Sequence, residues 1–169
     1  IYGLLGSNGA GKSTLTRILL GFEDSTLGKV RYFNGRTHNV KSKIAVVPQN
    51  IAAYMDFTVQ QNMEFFAALT PLPKDKQKIQ ITELIDWLEL TNFKNLKVKF
   101  LSGGYQRLVN MALSLLNDPQ VIFLDEPTVG LDPKMRKLFW DKLTALQKSG
   151  KTLILTTHYM DEAEKLCTK

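Results

Sequence analysis

The sequence predicts an α/β protein built on a mostly parallel sheet, with a small helical subdomain inserted into it. Three observations carry that expectation. Short apolar runs alternate with stretches of helical period, the rhythm of parallel strands joined by crossover helices. A glycine-rich turn from Gly6 to Gly11 separates the first apolar run from the first helical stretch. Three helical stretches then follow one another before the sheet pattern resumes, so 1–57 and 118–169 read as the α/β core and 58–117 as the helical insertion.

The elements follow in order. Ile1 to Leu5 is a buried-strand candidate, and the helix after the glycine turn runs from about Lys12 to Leu20. Lys29 to Phe33 alternates toward Asn34-Gly35, a strong hairpin signal, so Ile44 to Val47 is expected as the returning strand, ended by Pro48. Thr58 and Gln61 have the spacing of a capping box, which starts a helix reaching about Leu69, before Pro71 and Pro73. A second helix gathers Ile79, Leu84, Ile85 and Leu88 on one side, with Trp87 nearby. A third follows Ser102, with Leu108, Met111, Ala112 and Leu115 inward. Val121 to Leu124 returns to sheet and ends in carboxylates. Asp132 caps the next helix with proline at its first position, and Met135, Leu138, Phe139 and Leu143 face inward. Thr152 to Thr156 is a further buried strand, and Tyr159 begins a last helix.

Composition narrows the class. The chain has 169 residues, 44% of them hydrophobic and 22% charged, which excludes a disordered or collagen-like polypeptide. The single cysteine, Cys167, rules out an internal disulfide framework. No uncharged stretch approaches the roughly 18 residues of a membrane span, so a membrane role has to run through a partner. The net charge of +6 raises nucleic acid or acidic head groups as partners. The basic residues are scattered, however, and the densest group, Lys74 to Lys78, reads as the solvated start of a helix.

Gly6-Ser7-Asn8-Gly9-Ala10-Gly11-Lys12-Ser13 fits the phosphate-binding loop pattern in its required strand–turn–helix setting. Small residues let backbone amides converge on phosphate oxygens, and the following helix N-terminus adds partial positive charge. In that reading Lys12 reaches the outer phosphates, Ser13 ligates magnesium and Thr14 bonds an inner phosphate. Val121 to Glu126 is an apolar strand that delivers two adjacent carboxylates at its C-terminal end, where open α/β sheets place ligands. Asp125 is the natural magnesium partner, and Glu126 remains to polarise an attacking water. Taken alone, a strand ending in Asp-Glu is a surface turn; beside a phosphate loop it reads as the metal site and base of a nucleotide hydrolase.

Leu101-Ser102-Gly103-Gly104-Tyr105-Gln106 resembles the signature motif of the ATP-binding cassette (ABC) ATPases, and further motifs fall in order around it. Gln49 is similar to the glutamine loop of that family, Gly130-Leu131-Asp132 to its aspartate loop, and His158 to its switch histidine. The resemblance implies a P-loop NTPase core, Mg-dependent ATP hydrolysis with ATP and Mg2+ as ligands, and two nucleotides sandwiched between two cassettes. It assigns Ser102, Gly103 and Gly104 to an anion cradle facing the partner's ATP, Gln49 to a magnesium and water contact, and His158 to a γ-phosphate hydrogen bond. Asp132 is given a helix-capping role of at least equal weight with communication between sites. Tyr105 departs from the glutamine found in many members.

The segments Asp56 to Leu69 and Thr157 to Glu164 look like the export branch of the family, which moves lipids, drugs and antibiotics. A transmembrane permease subunit or fused membrane domain is then the expected partner, contacting the Gln49 to Leu69 region at the cytoplasmic face of a membrane. In the family an earlier strand carries an aromatic residue that stacks on adenine. Only Ile1 to Leu5 precede Gly6 here and the chain closes at Lys169, so the expectation is a piece of a longer protein. The alternative is a soluble ABC-type ATPase acting on nucleic acid or ribosomes, supported directly by the positive charge alone. Only about fifty residues separate Gln49 from the signature, without the sustained heptads of the chromosome-maintenance relatives. A third reading, a switch that binds ATP without turnover, is opposed by Glu126 and His158 occurring together.

Overall fold

Residues 1–7, 9–32 and 41–168 are described by the computed structural model. Among the described residues four strands, β1 (Tyr2–Leu5), β2 (Ile44–Val47), β3 (Val121–Asp125) and β4 (Thr152–Thr157), form one sheet in the order β1-β4-β3-β2. All pairings are parallel. Parallel neighbours need crossovers, which fits the helical stretches between the strands. The register sets Val47 opposite Leu124 and Asp125 opposite Thr156, so β2, β3 and β4 bring their C-terminal ends to one edge. The first four residues of β3 are buried, as the uninterrupted Val-Ile-Phe-Leu run requires of a strand covered on both faces.

Among the described residues the first strand of the expected hairpin is absent. Lys29 to Tyr32 lie outside any strand, while Phe33 and the Asn34-Gly35 turn fall outside the described residues. Ile44–Val47 is a strand as expected, but it pairs parallel with β3, over 70 residues further along the chain.

The helices are α1 (Lys12–Leu19), α2 (Val59–Ala68), α3 (Lys74–Trp87), α4 (Gly103–Leu115), α5 (Pro133–Lys148) and α6 (Met160–Leu166). Thr58 closes the capping box: its hydroxyl accepts from Gln61 N–H at 3.0 Å and its own N–H donates to Gln61 Oε1 at 2.9 Å. On α3 the buried positions are Ile81, Leu84 and Ile85; Ile79, expected inward, is 59% exposed, and Ile81 takes the place assigned to it. Leu108, Met111, Ala112 and Leu115 of α4 are buried as their spacing predicts. Asp132 caps α5 by accepting from the N–H groups of Lys134 and Met135 at 3.0 and 3.1 Å, with Pro133 at the first helical position.

α2, α3 and α4 lie between β2 and β3 in sequence, and α4 runs back along β2, where Ser114 Oγ sits 2.6 Å from Val46 O. Lys142 of α5 donates to Trp87 O at 2.6 Å, tying the end of α3 to the core. Among the described residues no helix is long and apolar enough to cross a membrane.

Candidate active site

The first turn explains its own composition. Gly9 and Gly11 have φ of 84° and 86°, the left-handed region where a side chain is strained. The Lys12 ammonium folds over the loop, donating to Gly6 O at 2.7 Å and Ser7 O at 3.0 Å. Ala10 N–H donates to Ser7 O at 3.2 Å, closing the turn. Asn8 lies outside the described residues.

The sheet then brings the other groups to this loop. Gly9, Gly11, Lys12, Ser13 and Thr14 line an open cavity of about 340 Å³ together with Gln49, Asp125 and Glu126. Gln49 follows β2, the two carboxylates end β3 and His158 follows β4, three neighbouring parallel strands. This is the carboxyl edge at which open α/β sheets hold ligands.

Glu126 sits at the centre. Its φ of 44° is an unusual backbone state for a residue with a side chain, and such strain persists only where surrounding bonds fix it. Here its N–H donates to Thr156 O at 3.1 Å, turning the chain out of β3 as the strand ends. Its carboxylate is held from both sides. Gln49 Nε2 donates to Oε2 at 3.4 Å, and His158 Nδ1 lies 3.2 Å from Oε1. Asp125 is fixed by a residue the sequence did not single out: Thr156 Oγ1 donates to its Oδ1 at 2.6 Å. The hint lay in the register, since Thr156 stands directly opposite Asp125.

The signature segment is elsewhere. Ser102 and Gly103 are exposed at the start of α4 and are not among the residues lining the cavity. Ser102 occupies the N-cap position, yet its hydroxyl makes no capping bond, and the first-turn amides of α4 retain their donor capacity. Gly104 is buried because α5 passes so close that a Cβ would lie 2.7 Å from Met135 Cγ.

Two buried polar side chains were also missed. Asn110, 1% exposed, ties the Gln49 loop to α4. Its signal was a polar residue inside the Val-Asn-Met-Ala run of an apolar helix. Glu162, also 1% exposed, accepts from Thr128 Oγ1 at 2.7 Å and Trp140 Nε1 at 3.0 Å, joining α6 to the turn after β3. Arg107 of α4 donates to Gln49 O, and burial lowers its guanidinium pKa from the ordinary value.

A parallel sheet, a lysine-bearing glycine loop opening a helix and acidic residues at the adjoining strand ends define a P-loop NTPase. The chain belongs to the ABC transporter family, whose family model matches residues 1–129. It is 42% identical over 170 residues to the Nod factor export ATP-binding protein I of Ralstonia nicotianae, covering 98% of this chain and 53% of that protein. The protein of the same name from Rhizobium meliloti is 41% identical over 172 residues, covering 99% of this chain and 51% of its own length. The chain thus spans about half the length of the curated relatives it matches. Among solved structures, CbiO1 of Clostridium perfringens, described as part of the ABC transporter complex cbiONQ, aligns with a TM-score of 0.88 at 28% identity, covering 98% of this chain and 70% of that one.

Proposed function

We propose that this chain is the ATP-hydrolysing part of an ABC exporter, working as one of two cassettes that close on ATP. The observation that carries the proposal is the Glu126 carboxylate, held between Gln49 and His158 beside the cavity lined by the phosphate loop. A carboxylate fixed on both oxygens is oriented for a water approaching a phosphorus bound by the loop.

Glu126 accepts the proton of the attacking water or aligns its lone pair. Lys12 leaves the carbonyls of Gly6 and Ser7 to offset charge on the outer phosphates, while the amides of 9–14 bind the inner ones. Thr14 bonds an inner phosphate, and His158 donates to the γ-phosphate once its hold on Glu126 is exchanged for substrate. The oxygen donors of Ser13, Asp125 and Gln49 line one cavity and form a hard set suited to magnesium, so these residues would hold it. Bound there, the metal would neutralise developing phosphate charge.

Ser102, Gly103 and Gly104 act in trans. Their place outside the cavity, with a hydroxyl free of capping, fits donors that meet the γ-phosphate on a second cassette. That phosphate then bridges two subunits, and its loss removes the contact favouring the closed state.

The export direction is supported by the names of the relatives and by the Asp56 to Leu69 segment. Phe57 and Phe65 of this segment and Tyr54 just before it are each at least 39% exposed, and the Tyr54 and Phe65 rings lie 5.1 Å apart. Asn62 keeps the turn below them in place, accepting from Tyr54 N–H at 2.8 Å and donating to Tyr54 O at 3.0 Å. An exposed aromatic patch on a braced turn suits a membrane permease or fused membrane domain as partner, which supports reading the chain as a cassette at the cytoplasmic face.

The test is Glu126→Gln in the complete protein. Binding of ATP, read by a fluorescent analogue, is expected to persist, while turnover falls by about 10²-fold or more. Undiminished hydrolysis would remove Glu126 from the role.

A further inference from the structure

We propose that Asn110 is a positioning residue for hydrolysis, clasping the backbone around Gln49 to the helix that begins with the signature. The inference rests on the functional reading of Gln49 given above. Asn110 lies on α4, about two turns beyond Gly103, and is 1% exposed. Its Oδ1 accepts from Ala52 N–H at 2.8 Å, and its Nδ2 donates to Pro48 O at 3.0 Å and to Asn50 O at 3.3 Å. Those three backbone groups bracket Gln49. Arg107, one turn earlier on the same helix, donates to Gln49 O itself. The carbonyls of 48, 49 and 50 and the amide of 52 are therefore all bound by side chains of one helix.

A buried carboxamide suits this task because it both accepts and donates. Aspartate keeps only the acceptor when ionised, and alanine leaves buried backbone groups without partners. The Gln49 side chain is left to reach Glu126 Oε2, so where its carboxamide stands is set by α4. The element that presents Ser102 and Gly103 to the second cassette thus also holds the backbone of the residue that meets Glu126. A displacement of the start of α4 is passed to Gln49 through the Asn110 clasp, a contiguous path of named hydrogen bonds.

The test is a double-mutant cycle in the complete protein, with amide hydrogen exchange as a second reading. Asn110→Ala is expected to lower kcat about tenfold, the scale of losing an outer partner of a ligand, with the KM for ATP nearly unchanged. In a Gln49→Ala background the same substitution is expected to cost nothing further, because the residue through which it acts is gone. Ser114→Ala, which removes a bond from α4 to Val46 O outside the loop, is the control and should lower turnover equally in both backgrounds or not at all. Exchange at the Ala52 amide should accelerate in Asn110→Ala while amides within α4 keep their protection. Asn110→Ser, which retains one hydroxyl, replaces the alanine variant if that variant does not fold. Equal fold-losses of turnover for Asn110→Ala in both backgrounds, or an Ala52 amide exchanging as in the parent, would overturn the proposal. A parent protein that turns over no ATP would defeat the functional reading, while the exchange measurement would still decide the clasp.

Discussion

A Cβ added at Gly104 would lie 2.7 Å from Cγ, 2.9 Å from Cε and 3.1 Å from Cβ of Met135. Carbon atoms in comfortable contact sit about 3.5–4.0 Å apart, so each of these is an overlap. Rotation of the flexible methionine relieves the first two contacts. The third involves an atom fixed to the α5 backbone, so its relief requires the start of α4 to move away from α5. Against this, alanine is favoured over glycine within a helix by about 1 kcal/mol. Overpacking of a filled interface costs about 1–3 kcal/mol, and with the Met135 Cβ contact left unrelieved by rotation this site falls at about 2–3 kcal/mol, so Gly104→Ala is expected to destabilise the protein by about 1–2 kcal/mol net. Urea unfolding of the complete protein measures it as a lower midpoint at unchanged slope. Combining the change with Met135→Gly removes that Cβ along with the rest of the side chain and supplies the missing space, so the double variant should lose less than the sum of the singles by about 1 kcal/mol. A Gly104→Ala protein as stable as its parent, or strictly additive losses, would refute the steric reasoning.

The other predictions concern charge and buried donors. Ser102→Arg is expected to leave ATP binding at the parent level, because Ser102 does not line the cavity, while turnover is lost; a titration with a fluorescent nucleotide and a phosphate-release assay separate the two. Glu162→Ala strips the acceptor from Thr128 and Trp140 and should cost about 2–3 kcal/mol in the same urea experiment, with Glu162→Gln costing visibly less because it keeps an acceptor.

The parts written locally in the chain were legible in it. The Thr58–Gln61 capping box, the Asp132-Pro133 helix start and the buried face of α4 depend on residues within a few positions of each other, and all three formed as read. The phosphate loop is likewise contiguous. Long-range pairing was not legible. Nothing local to Ile44–Val47 names Val121–Leu124 as its neighbour, because burial on both faces is decided by the whole sheet. Ile79 and Ile81 differ by two positions on one helix, and only the packing of α2 and α4 against α3 selects between them. Within the site, the sequence pointed to Gln49, Glu126 and His158 separately, but their meeting at one carboxylate follows from the order β2-β3-β4. Asn110, Thr156 and Glu162 escaped notice because each acts on backbone or side chains about 20 to 60 residues distant, a separation that periodicity does not encode.

A mixing experiment tests the shared catalytic pocket most directly. Ser102→Arg retains Glu126 but lacks the cradle it offers its neighbour, and Glu126→Gln retains the cradle but lacks the base. Each variant alone should be inert in phosphate release. Mixed in equal amounts and allowed to exchange partners, they should recover turnover, since a mixed pair contains one pocket with both groups intact. Turnover by Ser102→Arg alone at the parent rate would contradict the account, as would a mixture that forms mixed pairs and remains inert.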